Sequence, residues 1–90
     1  IIEDDVFIGP SVTFTNVLEP RAFINQKKNF KKTLVKKGVS IGANSTIICG
    51  TKLDKYSFIA AGSVVTKNVD QYNLVKGNPA IFYKKITKNL

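Results

Sequence analysis

Few side chains in this 90-residue sequence can do chemistry, and the missing types narrow the field first. There is no His and only one Cys, Cys49. That removes the commonest side-chain general base, the Ser–His and Cys–His nucleophile pairs, and any His-based or Cys-cluster metal site. No oxygen-ligand motif for a metal is present either. Three polar groups fall close together in Asn16-Val17-Leu18-Glu19-Pro20-Arg21. The Asn16 amide can accept a hydrogen bond from an amine and donate to a hydroxyl. Arg21 offers a planar fork for a phosphate or carboxylate, and Glu19 can orient an amine. The same stretch also reads as a turn ahead of a proline. Lys67 and Lys76 can meet a phosphate as point charges, or simply be solvated. Cys49 reads as a small packing residue placed outward, with no role in a site.

What positions these groups is a repeat. Every sixth residue from Val35 is aliphatic: Val35, Ile41, Ile47, Leu53, Ile59 and Val65. Four residues after each stand Val39, Ser45, Thr51, Ser57, Ser63 and Val69, all small or β-branched. Ile2 and Ile8, with Val6 and Val12, repeat the pattern near the start. A helix stripe recurs at 3.6 residues and a simple strand at 2, so neither fits. Period six fits short strands joined by turns and wound into a parallel β-helix, with about 18 residues per coil. Residues 18 apart then stack, placing Gly42 under Ala60, Ala43 under Ala61 and Asn44 under Gly62. Such a corner lets a ligand approach the backbone closely, although tight corners also favour small residues with no ligand at all.

Within this repeat the runs Ile8-Gly9-Pro10-Ser11-Val12-Thr13, Ile41-Gly42-Ala43-Asn44-Ser45-Thr46, Phe58 through Val69, and Val75-Lys76-Gly77-Asn78-Pro79-Ala80 resemble the hexapeptide-repeat acyltransferases. The resemblance covers residues 2 to 80. More narrowly, Val6-Phe7-Ile8-Gly9-Pro10, Phe14-Thr15-Asn16, Pro20-Arg21 and Thr33-Leu34-Val35 are similar to the N-acetyltransferases of nucleotide-linked 3-amino sugars. The resemblance implies an all-β, left-handed parallel β-helix, an exception to the usual right-handed crossover. It also implies a homotrimer, acetyl-CoA as co-substrate without a metal, and a cytoplasmic role in surface polysaccharide or lipopolysaccharide biosynthesis. Carried over by position, it implies cofactor contacts at Ala43, Ala61 and Gly62, with Lys67, and behind it Lys76, for the phosphates. Asn16 and Arg21 become substrate-binding residues, and Asn16, ahead of Glu19, the candidate for positioning the amine.

The chain divides accordingly into N-terminal hexads (1–14), an external substrate loop (15–34), two coils (35–70) and a C-terminal tail (71–90), all in one domain. Phe14 and Val35 are 21 positions apart, not a multiple of six, so the phase breaks there and resumes beyond the loop. Phe82, Ile86 and Leu90, spaced at fours, suggest a short terminal helix. The absent Met and the abrupt start predict further coils upstream. A catalytic base either lies in them or is not needed, since positioning and an oxyanion donor can supply several kcal/mol and the departing thiolate can take the proton. Fourteen Lys and Arg against six Asp and Glu leave a net charge of +8, which favours an anionic partner. The run Lys27, Lys28, Lys31, Lys32, Lys36, Lys37 admits a polyanion-binding module as an alternative, and a catalytically incomplete structural fragment is a third reading. No nucleic-acid motif accompanies the lysines, and no apolar run is long enough for a membrane span.

Overall fold

The computed structural model describes residues 1–15 and 32–87. Eight two-residue strands fall where the period requires: β1 Phe7–Ile8, β2 Thr13–Phe14, β3 Leu34–Val35, β4 Ser40–Ile41, β5 Thr46–Ile47, β6 Lys52–Leu53, β7 Phe58–Ile59 and β8 Val64–Val65. Two longer strands follow, β9 Asn73–Gly77 and β10 Ala80–Lys85.

Pairing is parallel from coil to coil. β3 pairs β6, β4 pairs β7 and β5 pairs β8, each with an 18-residue offset, as in Ile41↔Ile59. β1 and β2 pair β4 and β5 with a 33-residue offset, as in Ile8↔Ile41. The difference, 33 − 18 = 15 residues, is the length inserted between Phe14 and Leu34, and it leaves the register of the following coil intact. Three sheets result, ordered β1-β4-β7-β9-β10, β2-β5-β8 and β3-β6. Single bridges Ile2↔Val35 and Leu53↔Val69 extend the last of them.

Both columns of the repeat point inward. Val35, Ile41, Ile47, Leu53, Ile59 and Val65 are at most 1% exposed, and Val39, Ser45, Thr51, Ser57, Ser63 and Val69 at most 5%. Each fully buried aliphatic side chain contributes roughly 1.5–3 kcal/mol, so stability accumulates coil by coil. Two-residue strands have no independent stability; ladder bonds such as Gly9 N–H to Ile41 O (2.8 Å) and Gly42 N–H to Ile59 O (2.8 Å) tie each rung to the next.

The C-terminal segment corrects the helical expectation. Residues 73–85 form an antiparallel hairpin whose first strand, β9, adds in parallel to β7 (Ile59↔Val75). The fourfold spacing of Phe82 and Ile86 is coincidental. Gly77-Asn78-Pro79 closes the hairpin, with Gly77 at φ 103°, and a register shift between Phe82 and Lys84 breaks simple alternation on β10. Cys49 is also not outward but buried. Its N–H donates to Thr15 Oγ1 at 2.9 Å and the next residue's N–H to Thr33 Oγ1 at 3.3 Å, so the two ends of the 15–34 segment close over it.

Candidate functional site

One corner of the prism is built from superposed turns, Pro10–Ser11, Ala43–Asn44 and Ala61–Gly62. Ser11, Asn44 and Gly62 share left-handed backbone angles of 61°, 61° and 73°. Asn44 N–H donates to Pro10 O (3.0 Å) and Gly62 N–H to Ala43 O (2.9 Å), so the turns are hydrogen-bonded into a column. Asn and Gly tolerate this backbone region, which a β-carbon normally disfavours by about 1–2 kcal/mol. Above the column sits the Gly77–Pro79 turn, since Ile59↔Val75 places Gly77 over Ala61, and Gly77 N–H donates to Ser63 Oγ at 3.2 Å.

The small residues here divide into two kinds. A β-carbon on Gly42 would lie 2.5 Å from Ala61 N, and one on Gly9 would lie 2.7 Å from Ala43 N. These glycines are small because the next coil is there. Gly62 is different, because no atom lies within 4 Å of where its β-carbon would be. Ala61 and Gly62 are exposed and Ala43 is half-buried. The corner therefore presents open backbone, the condition for a ligand to lie along it.

The structure separates the two lysines. Lys76 stands beside Ala60 in register, immediately above the corner, but its Nζ sits 3.8 Å over the Tyr83 ring. Lys67 follows β8 at the next corner, one coil above Cys49, and is exposed. Thr15 lies at that same corner through its bond to Cys49. Asn16, Glu19 and Arg21 lie outside the described residues.

Lys67 also lines a groove of about 300 Å³ between the last turn of the coil and the hairpin arm, with Asn68, Asp70, Asn73, Val75, Pro79 and Phe82 among its walls. Asp70, Asn73 and Phe82 were not sequence candidates. The cue that finds them is the Gly77-Asn78-Pro79 turn between two β-forming runs, which folds the second run back onto the end of the coil. No group of three or more metal-ligating side chains occurs among the described residues. Two of the described lysines are tied to acids, Lys36 to Glu3 at 3.7 Å and Lys52 to Asp54 at 3.8 Å. No described helix is long and apolar enough to cross a membrane.

The repeat, the stacked turns and the open corner are those of a known class. A family described as the hexapeptide repeat of succinyl-transferase matches residues 36–67. A hexapeptide-repeat acetyltransferase from Vibrio cholerae, crystallised with acetyl-coenzyme A, superposes with a TM-score of 0.81 at 29% identity, over 92% of this chain and 47% of that one. Serine acetyltransferase from Brucella abortus, in complex with coenzyme A, superposes with a TM-score of 0.77 at 30% identity, over 96% of this chain and 32% of that one. The chain folds as a left-handed parallel β-helix, and its repeat is similar to that of the hexapeptide-repeat acyltransferases.

Within that class, its sequence is 51% identical over 53 residues to a dTDP-3-amino-3,6-dideoxy-α-D-galactopyranose 3-N-acetyltransferase from Aneurinibacillus thermoaerophilus, a match covering 59% of this chain and 28% of the relative. It is 30% identical over 88 residues to a galactoside O-acetyltransferase from Lactococcus lactis, covering 94% of this chain and 42% of the relative. The chain thus spans less than half the length of these relatives.

Proposed function

We propose that the chain is part of an acetyl-CoA-dependent N-acetyltransferase that acts on the amino group of a nucleotide-linked amino sugar. The observation that carries the substrate class is the 51% identity to a dTDP-3-amino-sugar N-acetyltransferase, well above the identity to the O-acetylating relative. The open corner at Ala43, Ala61 and Gly62 supports the acyl-donor side. A pantetheine arm can lie along exposed backbone there, accepting hydrogen bonds from N–H groups and donating to C=O groups.

In this reading the neutral sugar amine attacks the thioester carbonyl. The C–N bond forms, the C–S bond breaks, and the proton lost by nitrogen is taken up by the departing thiolate as CoA is released. Asn16 accepts from the amine and sets its direction, and Arg21 holds a phosphate of the sugar nucleotide. Lys67 meets a phosphate of acetyl-CoA. Holding the two reactants in line supplies much of the rate without a side-chain base. The assembly is a homotrimer, and the product feeds surface polysaccharide or lipopolysaccharide synthesis from the cytoplasm.

The test is release of free thiol from acetyl-CoA by the full-length protein, offered separately a dTDP-linked 3-amino sugar, a galactoside and serine. Release with the amino sugar alone is expected. Release with the galactoside or serine alone would assign the chain to another branch of the class.

A further inference from the structure

Successive turns of this coil are ordinarily joined by backbone alone. At five described turns the N–H of the second turn residue (Gly38, Asn44, Tyr56, Gly62 and Tyr72) donates to a backbone carbonyl of the turn beneath. The Cys49–Gly50 turn departs from that rule. Cys49 N–H donates to Thr15 Oγ1 at 2.9 Å and Gly50 N–H to Thr33 Oγ1 at 3.3 Å, so two side-chain hydroxyls stand in for the carbonyl. Every turn must satisfy its N–H groups, but only here does a change of side chain remove the bond. Thr15 and Thr33 come from opposite sides of positions 16–32 and are held on adjacent residues of one turn. That turn is a firm mount. Cys49 is 3% exposed, and Thr51 Oγ1 donates to Ile48 O at 2.9 Å across it. Thr15 N–H also donates to Ile47 O at 3.0 Å and Leu34 N–H to Thr51 O at 3.1 Å, which ties both threonines to the coil through the backbone. The pairing of Ile47 with Val65 puts Lys67 directly above Cys49.

We propose that Thr15 and Thr33 are positioning residues for acyl transfer, mounting the acceptor side of the site on the turn that lies under Lys67. This rests on the reading given above, in which Asn16, next in the chain after Thr15, directs the amine and Lys67 meets the acyl donor. The two hydroxyls act through the Cys49–Gly50 turn. Acceptor and donor are then referred to one rigid element, and a displacement of about 1 Å between them costs about 10²-fold in rate. The chemistry of the contact makes it separable from packing: Val has nearly the shape of Thr and cannot accept the bond, whereas Ser keeps the hydroxyl.

The test is steady-state kinetics of the full-length protein with acetyl-CoA and a dTDP-linked 3-amino sugar, beside equilibrium binding of that sugar nucleotide and thermal melts. Thr15→Val is expected to lower kcat about tenfold or more, to leave KM for acetyl-CoA unchanged, and to be rescued in Thr15→Ser. Thr33→Val, on the longer bond, follows in the same direction with a smaller loss. Where Thr15→Val does not fold, Thr33→Val on the more exposed contact carries the same test. If the Val variants lower Tm but keep the parent's kcat at a temperature where they are folded, the hydroxyls hold the fold alone and the proposal is overturned. A Thr15→Ser protein as slow as Thr15→Val overturns it as well. If the parent binds the sugar nucleotide and Thr15→Val weakens that binding about tenfold, yet neither releases thiol, the acetyltransferase reading fails and the mounting of the acceptor side stands. If the parent neither binds the sugar nucleotide nor releases thiol with it, both fall.

Discussion

Gly62 separates two demands that the corner makes, one on backbone angle and one on space. Its φ of 73° lies in the left-handed region, while the volume where a side chain would go is open. Gly62→Ala meets no atom but places a β-carbon in a disfavoured conformation, at about 1–2 kcal/mol. For a domain of this size that lowers Tm by roughly 5–15 °C. Gly62→Asn behaves differently, because Asn visits this region readily and Asn44 already holds φ 61° one coil beneath. Its stability should fall by less than half as much as that of the Ala variant, while its side chain now projects into the open corner. If acetyl-CoA runs there, KM for the donor rises about tenfold, equivalent to ~1.4 kcal/mol of binding. Thermal melts and initial-rate titrations of acetyl-CoA on both variants provide the readout. A Gly62→Asn protein with unchanged donor KM refutes the assignment of the corner. A Gly62→Ala protein as stable as its parent refutes the backbone argument.

Gly42→Ala should be far worse than Gly62→Ala, since its β-carbon would fall 2.5 Å from Ala61 N and force the coils apart; a loss of about 3 kcal/mol or more, read by denaturant unfolding, is expected. Ser57 Oγ is buried without a partner above Val39, so Ser57→Ala should hold or raise Tm. Ser45 Oγ donates to Ala60 O at 3.1 Å, and Ser45→Ala should cost about 1 kcal/mol in the same melts. Lys67→Ala should raise donor KM several-fold at low salt and much less at high salt, as a screened charge contact requires. Lys76→Ala should instead lower stability by about 0.5–1 kcal/mol through loss of the Tyr83 contact.

The repeat was legible because it is written in side chains that must be buried. Both six-residue columns from Val35 and Val39 are inside, and the break after Phe14 leaves the later register undisturbed. The glycines were legible only in part. Period alone cannot tell Gly42, which is small because Ala61 of the next coil presses on it, from Gly62, which is small because of its backbone angle. The hairpin was missed because Phe82 and Ile86 recur at helical spacing, while the pairing of Val75 with Phe82 depends on a turn and a register shift that the period does not encode. With the hairpin went the groove, since Phe82 reaches its wall only once β10 folds back. Cys49 ran against the outward expectation because contacts from Thr15 and Thr33, far away in sequence, close over it.

The central claim, N-acetylation of an amino sugar, is tested most directly by the bond formed in the product. The full-length protein is incubated with isotopically labelled acetyl-CoA and a dTDP-linked 3-amino sugar, and the product is treated with hydroxylamine. Label retained as a hydroxylamine-stable amide on the sugar nitrogen is the result expected. Label recovered as a hydroxylamine-labile ester on a sugar oxygen, or no transfer to the sugar, would contradict it.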